Sequence, residues 1–383
     1  MNCLFVCTSL EPGRDGVGDY CRLLASACAD EGHTCTLLAI NDEHLTQPYA
    51  HEIQTERGHE LTVLRLPATQ PWSQRFEWSR EFVTEHAPDW ISWQIVPYGF
   101  HPKGIIPDQA FQFTTLGRGR HNHVMLHELW IGLALGEPFK NRVYGHFQRR
   151  ALMPFIRAIE PALVDTSNPA YRTALVAEGC SPGVLPLFGN IPVQPMPSAP
   201  RGKEWVGGIF GTVHPQFSAR ACIETLHRGA KASKNRLRLV GIGRLGTYGE
   251  KMFAQLAQDY ANRLVVEPLG ERPSHEISSL LQSLDFGIAT HPWALIGKSG
   301  AVAAMLDHGL PVIVPRDDWA LRLHATPPPL RDPLVVRLAD TPPELMAGWL
   351  GRRRPPASRL PAVASAFLSR LARAHEVPLH QQQ

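Results

Sequence analysis

Short apolar runs and amphipathic helical stretches alternate along this chain. The alternation opens on residues 2–9, which read as a buried strand. The turn-rich Glu11-Pro12-Gly13-Arg14-Asp15-Gly16-Val17-Gly18 follows, and then a helical pattern. Leu23, Leu24, Ala27 and Cys28 recur on one helical face, Gly32 ends the helix, and residues 34–40 give the next strand. That is a βαβ unit. Further strands are predicted over 61–66, 90–96, 123–127 and 162–166, with helices over 74–86 and 140–159. Another helix begins at Pro169, capped by Ser167 or Asn168 and closed by Gly179. Strands and helices in alternation predict a parallel sheet covered on both faces.

With 383 residues the chain exceeds what one hydrophobic core usually serves, and it divides naturally in two. After Leu185 the periodicity stops, and residues 189–200 carry Pro192, Pro195, Pro197 and Pro200. A second set of strand-like runs follows, over 205–211, 237–241, 264–267, 285–290 and 311–314, with helical patterns between most of them. The expected organisation is a Rossmann-like domain over 1–190, a linker over 191–203 and a second such domain over 204–360. A C-terminal helix and tail over 361–383 is expected to pack back on the first domain. No repeat of solenoid period is present.

A net charge of +3 is small for this length and forms no basic stripe, so no nucleic-acid partner is expected. The seven cysteines are odd in number, contain no CxxC pair and sit in apolar segments, as reduced core thiols do. No apolar run approaches the roughly 18 residues that span a bilayer, and the first residues lack a basic region ahead of the apolar one. A cytoplasmic protein is expected, at most peripheral to a membrane.

In open α/β sheets ligands bind beyond the carboxyl ends of the strands. Gly16 and Gly18 lie in such a loop, where the missing Cβ permits close backbone approach and the helix start offers N–H groups to an anionic or hydroxyl-rich ligand. The residue three after Gly18 is Cys21, so the full dinucleotide fingerprint is absent and no nicotinamide cofactor is expected. His127-Glu128 ends another strand, where the imidazole can hydrogen-bond a ligand hydroxyl and the carboxylate can orient it.

Several segments taken in order carry a resemblance. Asp15-Gly16-Val17-Gly18-Asp19-Tyr20 with Glu31-Gly32-His33 is followed by Gln94 with Val96-Pro97-Tyr98, by His127-Glu128-Leu129-Trp130 and by Asp165-Thr166-Ser167. In the second half come Gly208-Ile209-Phe210-Gly211, Leu239-Val240-Gly241-Ile242-Gly243, and Gly300 to Ile313 with its Gly309-Leu310-Pro311-Val312-Ile313 ending. The chain resembles the family-4-type (group 1) retaining glycosyltransferases over most of its length. The resemblance implies a GT-B fold, α/β with two Rossmann-like domains facing each other across a cleft, and transfer of a sugar from a nucleotide-sugar donor with retention. It further implies donor contacts at Gly16 and Gly18, acceptor contacts at Asp19, Tyr20, Gln94 and Tyr98, and catalytic roles for His127 and Glu128.

Alignment on Gly309 places Ile296 and Ala304 where that family carries two glutamates eight residues apart, and no basic pair follows Gly211. A substitute lies in His291-Pro292-Trp293-Ala294-Leu295-Ile296-Gly297-Lys298-Ser299-Gly300, a glycine-flanked loop entering a helix. Its backbone N–H groups, the Lys298 cation and the Ser299 hydroxyl can meet a diphosphate, with Arg244 and His291 as further donor-site candidates. Basic groups of this kind can replace a metal at a leaving diphosphate. Asp317-Asp318 reads as a turn or cap, so neither metal nor cofactor is expected. The lost glutamates keep two alternatives in play, a non-catalytic sugar-nucleotide-binding or assembly subunit and a nucleotide-sugar 2-epimerase on the same fold.

Overall fold

The computed structural model describes residues 1–196, 202–261 and 263–376; residues 197–201 of the expected linker and 377–383 of the expected tail lie outside the described residues. Two units emerge. The first comprises Met1–Pro186 with Leu321–Thr326 and the chain from Leu360; the second comprises Leu187–Ala320 and Pro327–Arg359.

The first unit runs β1 (Asn2–Cys7), α1 (Gly16–Asp30), β2 (Thr34–Asp42), β3 (Ala50–Glu56), β4 (His59–Pro67), α2 (Trp72–His86), β5 (Trp90–Ile95) and α3 (Pro97–Phe100). A 3-10 segment (Asp108–Gly117), β6 (His121–Leu126), α4 (Phe139–Ile159), β7 (Leu163–Thr166), α5 (Pro169–Val176) and β8 (Gly183–Val184) complete its first stretch. The strands lie in the order β3-β4-β2-β1-β5-β6-β7-β8. All pairs are parallel except β3 with β4. The expectation of a purely parallel sheet is corrected at this edge. Ala50-His51-Glu52-Ile53-Gln54-Thr55-Glu56 has only one neighbour and needs no apolar run. The hairpin closes through Arg57 and Gly58, whose φ of 51° and 84° are the left-handed pair that a two-residue turn requires. Asn168, rather than Ser167, caps α5, its Oδ1 accepting from the N–H of Ala170 at 2.8 Å.

The second unit runs β9 (Glu204–Phe210), α6 (Ala219–Ala232), β10 (Arg236–Ile242), α7 (Gly246–Asp259), β11 (Val265–Gly270), α8 (Ser274–Ser283) and β12 (Phe286–Ile288). A 3-10 turn (Trp293–Lys298), α9 (Gly300–Asp307), β13 (Val312–Val314), β14 (Val335–Arg337) and α10 (Met346–Leu350) follow. Its sheet is wholly parallel, ordered β11-β10-β9-β12-β13-β14. Successive residues of β10 feed opposite faces: Leu237 and Leu239 join Ile209, Phe253 and Phe286, while Val240 and Ile242 join Leu281, Val312 and Val314. Gly309 ends α9 at φ +69°, and a Cβ there would fall 2.0 Å from the Arg354 carbonyl oxygen, so only glycine fits.

The expected linker is shorter than its composition suggests. Ile191 is buried in the second core, Gly189 donates its N–H to Asp307 Oδ2 (2.9 Å), and Gln194 donates to Ser278 Oγ (2.9 Å). Side chains of the second unit satisfy this backbone, a form of order that a proline-rich sequence does not display. The last helix, α11 (Leu360–His375), belongs to the first unit. Phe367 packs on Phe5 (5.8 Å between ring centres) and His123 (5.2 Å), and Arg370 pairs with buried Asp165 at 2.6 Å.

Candidate functional site

In each sheet the chain reverses its direction of growth once, at β1 beside β5 and at β9 beside β12. Connections depart to opposite sides at such a point, leaving a crevice beyond the strand ends. Each unit carries a polar cluster there.

In the first unit Asp15 caps α1, accepting from the N–H of Val17 (2.9 Å) and Gly18 (2.6 Å). Burial pushes its carboxyl upward against the pull of these bonds. The helix start therefore already holds a carboxylate, which corrects the expectation that these N–H groups face a ligand. Gly18 lies against the chain after β1, where an added Cβ would sit 2.5 Å from the Ser9 carbonyl oxygen; Gly16 has nothing within 4 Å and φ outside the left-handed region. The exclusion of a Cβ holds for Gly18 and is corrected for Gly16. Asp19, expected at the acceptor, accepts from the Gly13 N–H (2.9 Å) and pairs with Arg22. The Tyr98 hydroxyl accepts from Gln148 Nε2 (3.1 Å).

Six side chains come together behind this loop. The Tyr20 and His127 rings meet edge to face at 4.9 Å, and His127 Nε2 lies 2.8 Å from Gln94 Oε1. Gln94 Nε2 donates to Ser92 Oγ (2.7 Å), Ser92 Oγ lies 2.8 Å from His123 Nδ1, and His123 Nε2 faces Asp165 Oδ2 at 3.4 Å. The donors all point one way along this buried row, toward the carboxylate that Arg370 neutralises. His127 is thereby fixed with its proton on Nε2 and a lone pair on Nδ1. Glu128 follows, half-buried.

In the second unit the cluster gathers at the ends of β9, β12 and β13. Arg316, just past β13, donates through Nη1 to His214 Nδ1 (2.9 Å) and to the Thr290 carbonyl (3.2 Å). Its Nη2 donates to Gln216 (2.7 Å), and Asp318 closes a two-point pair with it at 3.0 and 2.8 Å. A guanidinium can only donate, so His214 carries its proton on Nε2. The His214 and His291 rings lie 6.2 Å apart. Burial, with Lys298 and Arg316 nearby, holds both imidazoles below their usual range, His291 at about 4. Lys298 is half-buried at the end of the 3-10 turn, and α9 starts near β9, since a Cβ on Gly211 would meet Ala301 Cβ at 3.8 Å.

Among the donor-site candidates, His291 and Lys298 belong to this cluster. Ser299 instead spends its hydroxyl capping α9, accepting from the Val302 N–H (3.3 Å), and Gly300 is exposed beside it. Arg244 lies past β10, half exposed, with Glu271 at 3.7 Å. Ile296 and Ala304 are buried in the core, so no carboxylate could stand at either place without desolvation. Sequence reasoning missed Gln216, two residues after His214, and Arg316, which lies some 100 residues from both. The one signal was an arginine directly after a strand that ends at the crevice.

No family model matches the chain, and no curated protein matches its sequence. Solved structures do match across its length. The lipopolysaccharide outer core galactosyltransferase WaaB is 12% identical over 96% of this chain and 95% of its own, with a TM-score of 0.53. A glycosyltransferase from Rickettsia africae is 10% identical over 98% and 99%, TM-score 0.54. An E. coli structure described as trehalose-6-phosphate bound with UDP-2-fluoro glucose is 9% identical over 98% and 96%, TM-score 0.51. The fold is that of the GT-B glycosyltransferases.

Burial drives the pKa of His127 from 6.5 down to about 3, with His123 adding to the shift, so the folded protein keeps this ring neutral where the unfolded chain does not. The unfolded chain then binds more protons below about pH 6.5, and stability is lost as the pH falls from there toward about 3. Between about pH 7 and 5 this group alone costs about 2 kcal/mol. Urea unfolding across that range should show the decline, flattened in His127→Gln; an equal slope in the variant would exclude this histidine as the source.

Proposed function

We propose that this chain is a glycosyltransferase that moves a sugar from a nucleotide-sugar donor to a glycan, lipid-linked or small-molecule acceptor, with retention and without a bound metal. The observation that carries the reading is the cluster of Lys298, His214 and His291 at the β9/β12 reversal of a GT-B fold. Breaking the anomeric C–O bond moves negative charge onto the departing diphosphate. A fixed cation and an Nε2–H donor are what that charge needs. Neutral imidazoles serve here as hydrogen-bond donors, with Lys298 supplying the charge and Arg316 positioning His214. A UDP-sugar analogue bound in one structural relative supports a donor of this class.

On the acceptor side, the Nδ1 lone pair of His127 can receive a sugar hydroxyl. An imidazole held near a pKa of about 3 is too weak a base to keep the proton. Retention then follows if the acceptor oxygen bonds to the anomeric carbon on the face the diphosphate leaves, its proton passing to the departing phosphate oxygen. The products are the glycoside and a nucleoside diphosphate. A cytoplasmic enzyme with peripheral membrane contact fits this role.

The test is release of nucleoside diphosphate from a panel of UDP-, GDP- and dTDP-sugars, with and without EDTA. Slow release from one donor, unchanged by chelation, is expected. Tight binding with no release would instead favour a sugar-nucleotide-binding subunit, and loss of release in EDTA would refute metal independence.

A further inference from the structure

The first three turns of α4 leave an apolar row uncovered. Phe139 is 73% exposed, Val143 39% and Phe147 56%, and Leu135 just ahead is 65% exposed. A four-residue spacing stacks such side chains along one helix face. The opposite face is fixed, with Gln148, Leu152, Phe155, Ile156 and Ile159 buried. Gly145 lies so close to the Ile131 carbonyl that a Cβ would fall 1.8 Å from its oxygen. The helix cannot roll to hide the row.

The charges on α4 are of one sign. Lys140, Arg142, Arg149, Arg150 and Arg157 lie within Phe139–Ile159, which contains no aspartate or glutamate. Lys140, Arg142 and Arg150 are exposed around the apolar row. Arg142 also lines a cavity of about 230 Å³ with Arg149 and Arg322, where Glu178, already paired with Arg149, is the one acidic lining residue among the described residues. Exposed aromatic and aliphatic side chains flanked by Lys140, Arg142 and Arg150 match an anionic bilayer, the apolar groups entering the headgroup boundary and the long basic chains reaching lipid phosphates. A second copy of the chain would bring the same cations to the contact and repel.

We propose that the Phe139, Val143 and Phe147 face of α4, with Lys140, Arg142 and Arg150, docks this chain on an anionic lipid surface. The docking face stands or falls independently of sugar transfer. The test is flotation of the full chain, with no sugar nucleotide added, on vesicles of phosphatidylcholine mixed with phosphatidylglycerol and on phosphatidylcholine alone. Binding to the mixed vesicles should be about tenfold or more the stronger, and should weaken as salt rises. The double variants F139S/F147S and K140E/R150E should each lose about tenfold while melting like the wild type, because the substituted side chains are exposed. Equal binding to both vesicles, no binding, or variants that bind like the wild type would overturn the proposal. So would a wild-type dimer in sedimentation velocity that F139S/F147S dissolves, which would give the face to a second copy.

Discussion

Lys298→Ala is expected to weaken nucleoside diphosphate binding roughly ten- to a hundredfold, about 1.5–3 kcal/mol, while leaving the nucleoside itself bound as before. The lysine is half-buried and close enough to His214 and His291 to depress both imidazoles. A positive charge in such surroundings is screened less than one in open water. Neutral rings cannot replace it, and Arg316 has its donors engaged by His214, Thr290, Gln216 and Asp318. Isothermal titration of the nucleoside and its diphosphate separates the effects. If both ligands weaken together, or neither does, Lys298 is not the diphosphate contact and the site must be sought at His214.

Gly18→Val should destabilise the first unit by about 3 kcal/mol and abolish transfer, whereas Gly16→Ala should leave both unchanged. The added Cβ would stand 2.5 Å from the Ser9 carbonyl oxygen and 3.2 Å from Leu10 Cα, both backbone atoms. That backbone has little room to yield: Asp42 holds the Leu10 N–H (3.2 Å) and the Ser9 hydroxyl (3.0 Å), while Arg22 donates to the Leu10 carbonyl (3.2 Å). Displacement of α1 would also carry Tyr20 away from His127. Denaturant midpoints of the two variants measure the contrast directly. A Gly18→Val protein unfolding with the wild type would mean that the chain after β1 gives way freely.

Much of the fold was legible because its strands are buried on both faces and therefore spell continuous apolar runs, as Leu4 to Cys7 and Leu239 to Ile242 do. The strands that escaped notice are those without this signature: β3, a polar edge, and β8 and β14, two and three residues long. At the candidate sites, His127, Gln94 and Tyr20 were readable from the order of segments that resembles the glycosyltransferases. The row that runs on through the hydrogen bonds of Ser92 and His123 to face Asp165 was not, because it crosses three strands.

The sequence by itself determined the alternation of strand and helix, the two sheets and turn glycines such as Gly32 and Gly309, since hydrophobic periodicity and backbone sterics act locally. Only the tertiary structure decided which polar groups remain for a ligand. It spent Asp15, Asp19 and Ser299 on caps and loop contacts, and it brought Arg316 to His214 across a hundred residues of chain. It also set the protonation of His127 and His291, because desolvation depends on everything packed around a ring and not on its neighbours in sequence.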